Sequence, residues 1–197
     1  VDLPYGADIE TIGNLDKSLT GFADSRKKLL AELPTMLAES YRILSDDRFI
    51  VLWFGFNNYC DLCACLSQTG FSYDPVPIIW NKRTHSTQNP DKKYARTYEQ
   101  ALIAWKGSPT FIRIAQTNLI DNVSPVSPLK KLHVAEKPLG VIEKFIFDCT
   151  ISGQTVLDFC AGSGSTGEAA VRAGRKAILV EENQQACMTI RARMGAL

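Results

Sequence analysis

The segment VLDFCAGSGSTG, residues 156–167, constrains this chain more than any other stretch. An apolar run closes on Asp158, and Gly162, Gly164 and Gly167 follow in GxGxxG spacing at the mouth of a helical pattern. Glycines there let the backbone turn tightly and approach a ligand without Cβ clashes. A second apolar run, AILV, then delivers Glu181. An acid at the end of the second strand is placed to accept hydrogen bonds from ribose hydroxyls. Strand, glycine loop, helix, strand and acid together read as a nucleoside-binding βαβ unit. Three glycines alone fit a bare strand–helix turn, but the acid that follows them favours a bound nucleoside.

The position of this unit narrows the reading. Dinucleotide folds usually put it first and add strands after it, whereas only 16 residues follow Glu181. The rest of the sheet must come from upstream sequence. Asp158, just before the loop, suits a pyrophosphate poorly. It fits a cationic ligand or the backbone donors of the loop itself.

Upstream, residues 1–14 read as a loop punctuated by Pro4 and Gly6, and residues 24–44 as a helix. Leu30, Leu33, Leu37, Tyr41 and Leu44 mark its apolar face, and Pro34 is expected to kink it or to start a second helix. RFIVLWF, residues 48–54, is apolar enough for a strand buried in a parallel sheet. A helix over 58–69 ends at Gly70, and a strand is expected over 76–80. Residues 81–96 form a polar loop, 99–105 a strand, and 107–135 irregular structure. Pro138 sits in the first turn of a helix running to about residue 149. Strands over 155–158 and 176–180 flank a helix over 165–173, and a last helix starts near Gln184.

The chain has 197 residues, enough for one α/β domain. Its net charge of +1 limits any nucleic-acid surface to a local patch. That patch is sought in the loop 81–96, through Lys82, Arg83, His85, Lys92, Lys93 and Arg96; a merely solvated loop competes evenly. No apolar run reaches the length of a membrane span, and no signal pattern opens the chain. Six cysteines in a chain of this size read as reduced thiols of a cytosolic protein. Cys60, Cys63 and Cys65 lack a fourth zinc ligand at recognisable spacing, so packing along one helix is preferred to a metal site.

KPLGVIEKFI followed by VLDFCAGSGSTGEAAVRAGRKAILVEEN resembles the C-terminal half of the circularly permuted, β-type, S-adenosylmethionine-dependent DNA amino-methyltransferases. Asp2-Leu3-Pro4-Tyr5 resembles that family's catalytic Asp-Pro-Pro-Tyr, with Leu3 in place of a proline. His133 and Lys137-Pro138 match the lead-in to its cofactor helix. Cys160 stands where the cofactor motif usually carries an aromatic residue, and Phe159 one position earlier.

The resemblance implies a Rossmann-like methyltransferase fold, a mostly parallel sheet with helices on both faces and a permuted motif order. A single catalytic domain over 1–197 is expected, with target recognition inserted around 81–128. The strand that should lead into Asp2 is nearly missing, so a longer natural chain is expected. S-adenosyl-L-methionine would bind through Lys137, Pro138, Asp158, Phe159, Cys160, Ala161, Gly162, Ser163, Gly164, Ser165, Thr166 and Glu181. The partner would be DNA, its target base flipped into a pocket. Asp2 and the Leu3 carbonyl would accept hydrogen bonds from the exocyclic amine, and Tyr5 would stack on the base, a contact worth about 1–3 kcal/mol. Asp at the head of the tetrapeptide points to adenine N6, since cytosine-N4 members more often carry Ser. An N4-cytosine enzyme, an inactive cofactor- or DNA-binding remnant, an NAD-dependent dehydrogenase and an RNA substrate stay open at this stage.

Overall fold

The structure, a computed structural model, describes residues 1–5, 25–86, 91–92, 94–127, 131–132 and 136–197, with only the backbone at His85 and Ser86. The expected loop over 6–14, Lys93 and His133 lie outside the described residues.

The first helix, α1 (Arg26–Ile43), is continuous through Pro34, so neither a second helix nor a restart occurs there. Its buried stripe is Leu29, Leu33, Leu37 and Ser40, one position from the expected start at Leu30. A 3-10 turn at Phe56–Asn58 leads into α2 (Tyr59–Thr69), which stops at Gly70 with φ +90°. A left-handed residue at that position ends a helix cheaply only when it lacks a Cβ. Cys63 and Cys65 on α2 pack partly against the core beside Leu62 and Leu66.

Strand β1 (Arg48–Phe54) forms where expected but with different pairing. It runs antiparallel to β4 (Arg96–Lys106), with Leu52 opposite Leu102. On its other side Trp53 donates to the Val1 carbonyl and accepts from Leu3, a parallel bridge that aligns the N-terminal tripeptide with the sheet. Of the expected polar loop over 81–96, residues 81–86 and Arg96 are strand, while 91, 92, 94 and 95 are not. Strand β3 (Ile78–Ser86) pairs antiparallel with β4, and an irregularity follows Asn81, where Arg83 takes φ +54°. Two strands joined by a short connection must run oppositely, which is why this part of the sheet is not parallel. The short β2 (Ser72–Tyr73) extends the edge along β4, and β5 (Leu119–Ile120) adds a parallel pair to β3. The sheet is therefore mixed where a mostly parallel one was expected.

The C-terminal half follows the sequence closely. Helix α3 (Leu139–Cys149) starts after Pro138, which caps it. Strand β6 (Thr155–Asp158) leads through the glycine loop into α4 (Ser165–Arg172). Strand β7 (Lys176–Leu179) returns parallel to β6, and α5 (Gln184–Gly195) closes the chain.

Alternation along the strands sends side chains to two cores. Leu52 and Phe54 of β1, with Leu102 and Ala104 of β4, meet Leu33, Leu37, Leu62 and Leu66 of α1 and α2. Trp53, Trp80 and Ala101 face the other way, onto Val141 and Phe145 of α3. Helices thus cover both faces of the sheet. Ile142 and Ile146 carry α3 on to Ala169 and Ala170 of α4, while Phe159 at the end of β6 packs against the cluster holding Leu3. These contacts bring the N-terminal tetrapeptide and the glycine loop to one region.

Candidate active site

The glycine loop is held from several sides. Asp158, 4% exposed, accepts from the Cys160 amide at 3.1 Å and from the Thr166 hydroxyl at 2.6 Å, tying the start of the loop to the first turn of α4. Its carboxylate thus serves loop donors, one of the two uses open to it from sequence. Gly162 and Gly164 take φ +53° and +81°, a region that side-chain-bearing residues avoid. The Ala161 amide donates to the Val180 carbonyl at 3.1 Å. Arg193 of α5 donates to both the carbonyl and the hydroxyl of Ser163 and pairs with Glu136 and Glu168.

Glu181 stands where the βαβ pattern requires it. One carboxylate oxygen accepts from the Gly162 amide at 2.8 Å and the other from the Asn183 amide at 2.9 Å. Asn183 in turn caps α5 by accepting from the Ala186 amide. The acid therefore lies against the glycine loop. Ser165 begins α4 and is buried with Ser163, whereas Phe159 is committed to the core. Burial, followed by the Asp158 charge, pushes the Cys160 thiol up to about 12, so Cys160 is an uncharged group at neutral pH.

The tetrapeptide forms a second cluster. Lys137 Nζ donates to Asp2 Oδ2 at 2.6 Å and lies 2.9 Å from Glu99 Oε2. The Tyr5 hydroxyl donates to the same Glu99 oxygen at 3.1 Å and accepts from Lys137 at 3.2 Å. Lys82 binds the other Glu99 oxygen at 3.2 Å. Asp2 Oδ1 is buried and has no hydrogen-bond partner among the described residues. Burial raises the Asp2 carboxyl above the ordinary aspartate value, although Lys137 opposes it. Glu99 is also raised by burial, but Lys137 and Lys82 outweigh that and leave it below its usual range. Burial works against a charged Lys137, yet Asp2 and Glu99 prevail and hold the ammonium above the ordinary lysine value.

The backbone of the tetrapeptide is equally well fixed. The Leu3 side chain, 3% exposed, fills the core where a proline ring was expected by resemblance, and its amide is bound to Trp53. Pro4 is half-buried. Asn58, 2% exposed, donates to the Tyr5 carbonyl at 3.0 Å and accepts from Arg26.

Three of the residues assigned from sequence make contacts that their motifs did not specify. Lys137, assigned from sequence to the cofactor, has its amine among Asp2, Tyr5 and Glu99; Pro138 caps α3. Lys82, assigned to nucleic acid, is drawn onto Glu99, because the β3–β4 pairing sets them diagonally on one sheet face. Arg83, Lys92 and Arg96 remain exposed, Arg96 lying over the Phe56 ring at 5.3 Å. Glu99, Asn58 and Arg193 were not anticipated. Of these only Glu99 left a signal, as an acid at the head of an otherwise apolar strand. Among the described residues no group of three or more His, Cys, Asp or Glu could hold a metal, and no helix is long and apolar enough to cross a membrane.

Comparison with known proteins accords with this geometry. A family model described as DNA methylase, of the N6/N4 methyltransferase type, matches residues 1–192. A protein of Escherichia coli (strain K12) named as a methylase, YubD, is 29% identical over 185 residues, covering 91% of this chain and 78% of its own length. The crystal structure of the M1.HpyAVI–SAM complex superposes with a TM-score of 0.73 at 26% identity, covering 87% of this chain and 84% of that one. The cytosine-N4-specific PvuII DNA methyltransferase reaches the same TM-score at 17% identity, over 85% of this chain and 71% of that one, a likeness of fold alone.

Proposed function

The chain belongs to the N6/N4 DNA methylase family, with its Rossmann-like methyltransferase fold and S-adenosylmethionine as cofactor, and from that premise we propose that it methylates adenine N6 in DNA. The observation that carries this reading is Asp2: one carboxylate oxygen is bound by Lys137, while the other is buried without a donor among the described residues. A buried acceptor without a partner costs stability unless something later supplies the hydrogen bond. An exocyclic amine of a flipped base is such a donor. Asp2 Oδ1 takes one amine hydrogen and the Leu3 carbonyl the other, which directs the nitrogen lone pair toward the transferred methyl. Tyr5 stacks on the base.

When bound, S-adenosylmethionine supplies an electrophilic methyl group on a sulfonium centre. The residues around the glycine loop suit it: Glu181 offers a carboxylate for ribose hydroxyls, and Ala161, Gly162, Ser163 and Gly164 present backbone held in place by Asp158 and Arg193. Adenine is preferred to cytosine because the tetrapeptide begins with an acid where cytosine-N4 members more often carry Ser. Target recognition is assigned to residues 81–128, with Arg83, Lys92 and Arg96 on phosphates, contacts that position DNA without reading its sequence.

The test is methyl transfer from the cofactor to unmethylated DNA, read by mass spectrometry of digested nucleosides. N6-methyladenine is expected, and Asp2→Ala should abolish it while cofactor affinity stays within a few-fold. N4-methylcytosine would transfer the assignment to the other base. Full activity in Asp2→Ala would overturn the role of the tetrapeptide.

A further inference from the structure

Glu99 has no place in the family motifs, yet it is the hub of the catalytic cluster. It lies on β4, next to the buried run Gln100 to Ala104, where an acid is unusual. Its two oxygens collect Lys137, Lys82 and the Tyr5 hydroxyl. Lys137 enters from the segment before α3 with its side chain 7% exposed, so its charge stands only while carboxylates face it.

We propose that Glu99 is a positioning residue for methyl transfer: it holds the Lys137 ammonium against Asp2 Oδ2 and so keeps Asp2 Oδ1 aimed at the target amine. This rests on the methyl-transfer reading above. The reasoning is geometric. Lys137 Nζ bridges Asp2 Oδ2 at 2.6 Å and Glu99 Oε2 at 2.9 Å, and the Tyr5 hydroxyl closes the triangle. A single carboxylate would leave the ammonium free to swing toward Asp2 Oδ1. With Glu99 on its far side the ammonium has a fixed seat, and only one Asp2 oxygen is covered. Lys82 fixes Glu99 in turn from β3.

Among the described residues, the charged and titratable groups that bear on Lys137 come from four segments. The N-terminal segment contributes Asp2 and Tyr5. Strand β4 contributes Glu99 and β3 contributes Lys82. The Trp53 and Tyr5 rings face the ammonium at 5.2 and 5.3 Å. From the glycine loop Cys160 interacts with Asp2 but is neutral, and Glu136, the neighbour of Lys137 in sequence, is engaged by Arg193. Removing the Glu99 charge therefore leaves Lys137 one carboxylate in a desolvated seat.

Two measurements test this. In protein carrying 13C-labelled lysine, free of DNA and cofactor, the Lys137 resonance is assigned by its absence in Lys137→Arg and titrated with pH. Glu99→Gln should move its midpoint toward neutral by at least about one pH unit, and Glu99→Asp should restore much of the difference. In methyl-transfer assays Glu99→Gln should lower kcat at pH 8 by about tenfold or more. It should also add an alkaline decline that the wild type lacks in the same range, with cofactor Kd within a few-fold. Circular dichroism identifies any variant that fails to fold, and Glu99→Asp then serves as the working variant. An unmoved Lys137 midpoint would overturn the proposal. So would an equal loss of rate at every pH, which is what a purely structural role produces. If the wild type methylates no base, the methyl-transfer reading fails instead, and the lysine titration still decides whether Glu99 holds Lys137.

Discussion

The side-chain amide of Asn58 donates a 3.0 Å hydrogen bond to the backbone carbonyl of Tyr5, across 53 positions of sequence. A Cβ on Gly55 would come within 2.7 Å of that same oxygen. The start of α2 and its lead-in thus grip the end of the tetrapeptide from two sides, and Arg26 of α1 fixes Asn58 from behind. The backbone of the tetrapeptide is clamped to the scaffold at its last residue.

Asn58→Ala should therefore cost about 1–3 kcal/mol in chemical denaturation, because the Tyr5 carbonyl loses its partner in a buried setting. Turnover should fall as well, with cofactor affinity nearly unchanged. A variant as active and as stable as the wild type would show that the clamp does not matter.

The pH dependence of turnover follows from Asp2. Burial raises its carboxyl above the ordinary value, despite Lys137. Below that raised pKa the acid is protonated and Oδ1 is lost as an acceptor, so activity should decline in mild acid, at higher pH than for an exposed aspartate. Glu99 acts oppositely on stability. Its folded-state pKa is depressed, so its contribution is present above the unfolded value and lost as pH falls through the folded one. Rate and melting profiles should consequently part company: on acidification kcat falls first and stability later.

Tyr5→Phe separates ring from hydroxyl. The ring is the part proposed to stack on a base, but the hydroxyl donates to Glu99 and accepts from Lys137. A several-fold loss of kcat is expected in Tyr5→Phe, with little change in DNA binding. Tyr5→Ala should lose far more and should also weaken retention of an extruded base, followed by fluorescence of 2-aminopurine at the target position. Equal losses in both variants would place the whole contribution in the hydroxyl.

Glu181→Ala should weaken S-adenosylmethionine binding by tenfold or more in calorimetry. It removes both the ribose acceptor and the bond that seats the Gly162 amide. Asp2→Ala, measured alongside, should leave the same affinity within a few-fold, since Asp2 belongs to the other cluster.

Gly167 has a packing role distinct from the first two glycines. A Cβ there would meet Leu179 Cδ1 at 2.5 Å and the Met194 sulfur at 3.0 Å. Overpacking of this kind costs about 1–3 kcal/mol. Gly167→Ala should lower the Tm while the purified, folded protein still binds cofactor, its loss of affinity smaller than that of Glu181→Ala.

Local pattern alone determined the C-terminal half of this protein. A strand, a glycine loop, a helix, a second strand and Glu181 are consecutive in sequence, and each is specified by neighbours a few residues away: apolar runs, positive-φ glycines, an acid after a strand. The tetrapeptide, by itself an ordinary turn, was singled out only by its resemblance to a contiguous family motif. Pairing direction was not legible, because an apolar run such as residues 48–54 is equally compatible with parallel and antiparallel neighbours; its antiparallel partner β4 is distant in sequence, and the short link between β3 and β4 fixes only those two strands' opposite directions. Nor was the destination of Lys137, whose motif adjoins the cofactor helix while its amine reaches Asp2, 135 positions away. Glu99 and Asn58 meet the tetrapeptide only because the fold brings β4 and the start of α2 beside the N-terminus. An ion pair or a buried hydrogen bond depends on distance in space, and only the folded chain sets which distant residues stand within 3 Å.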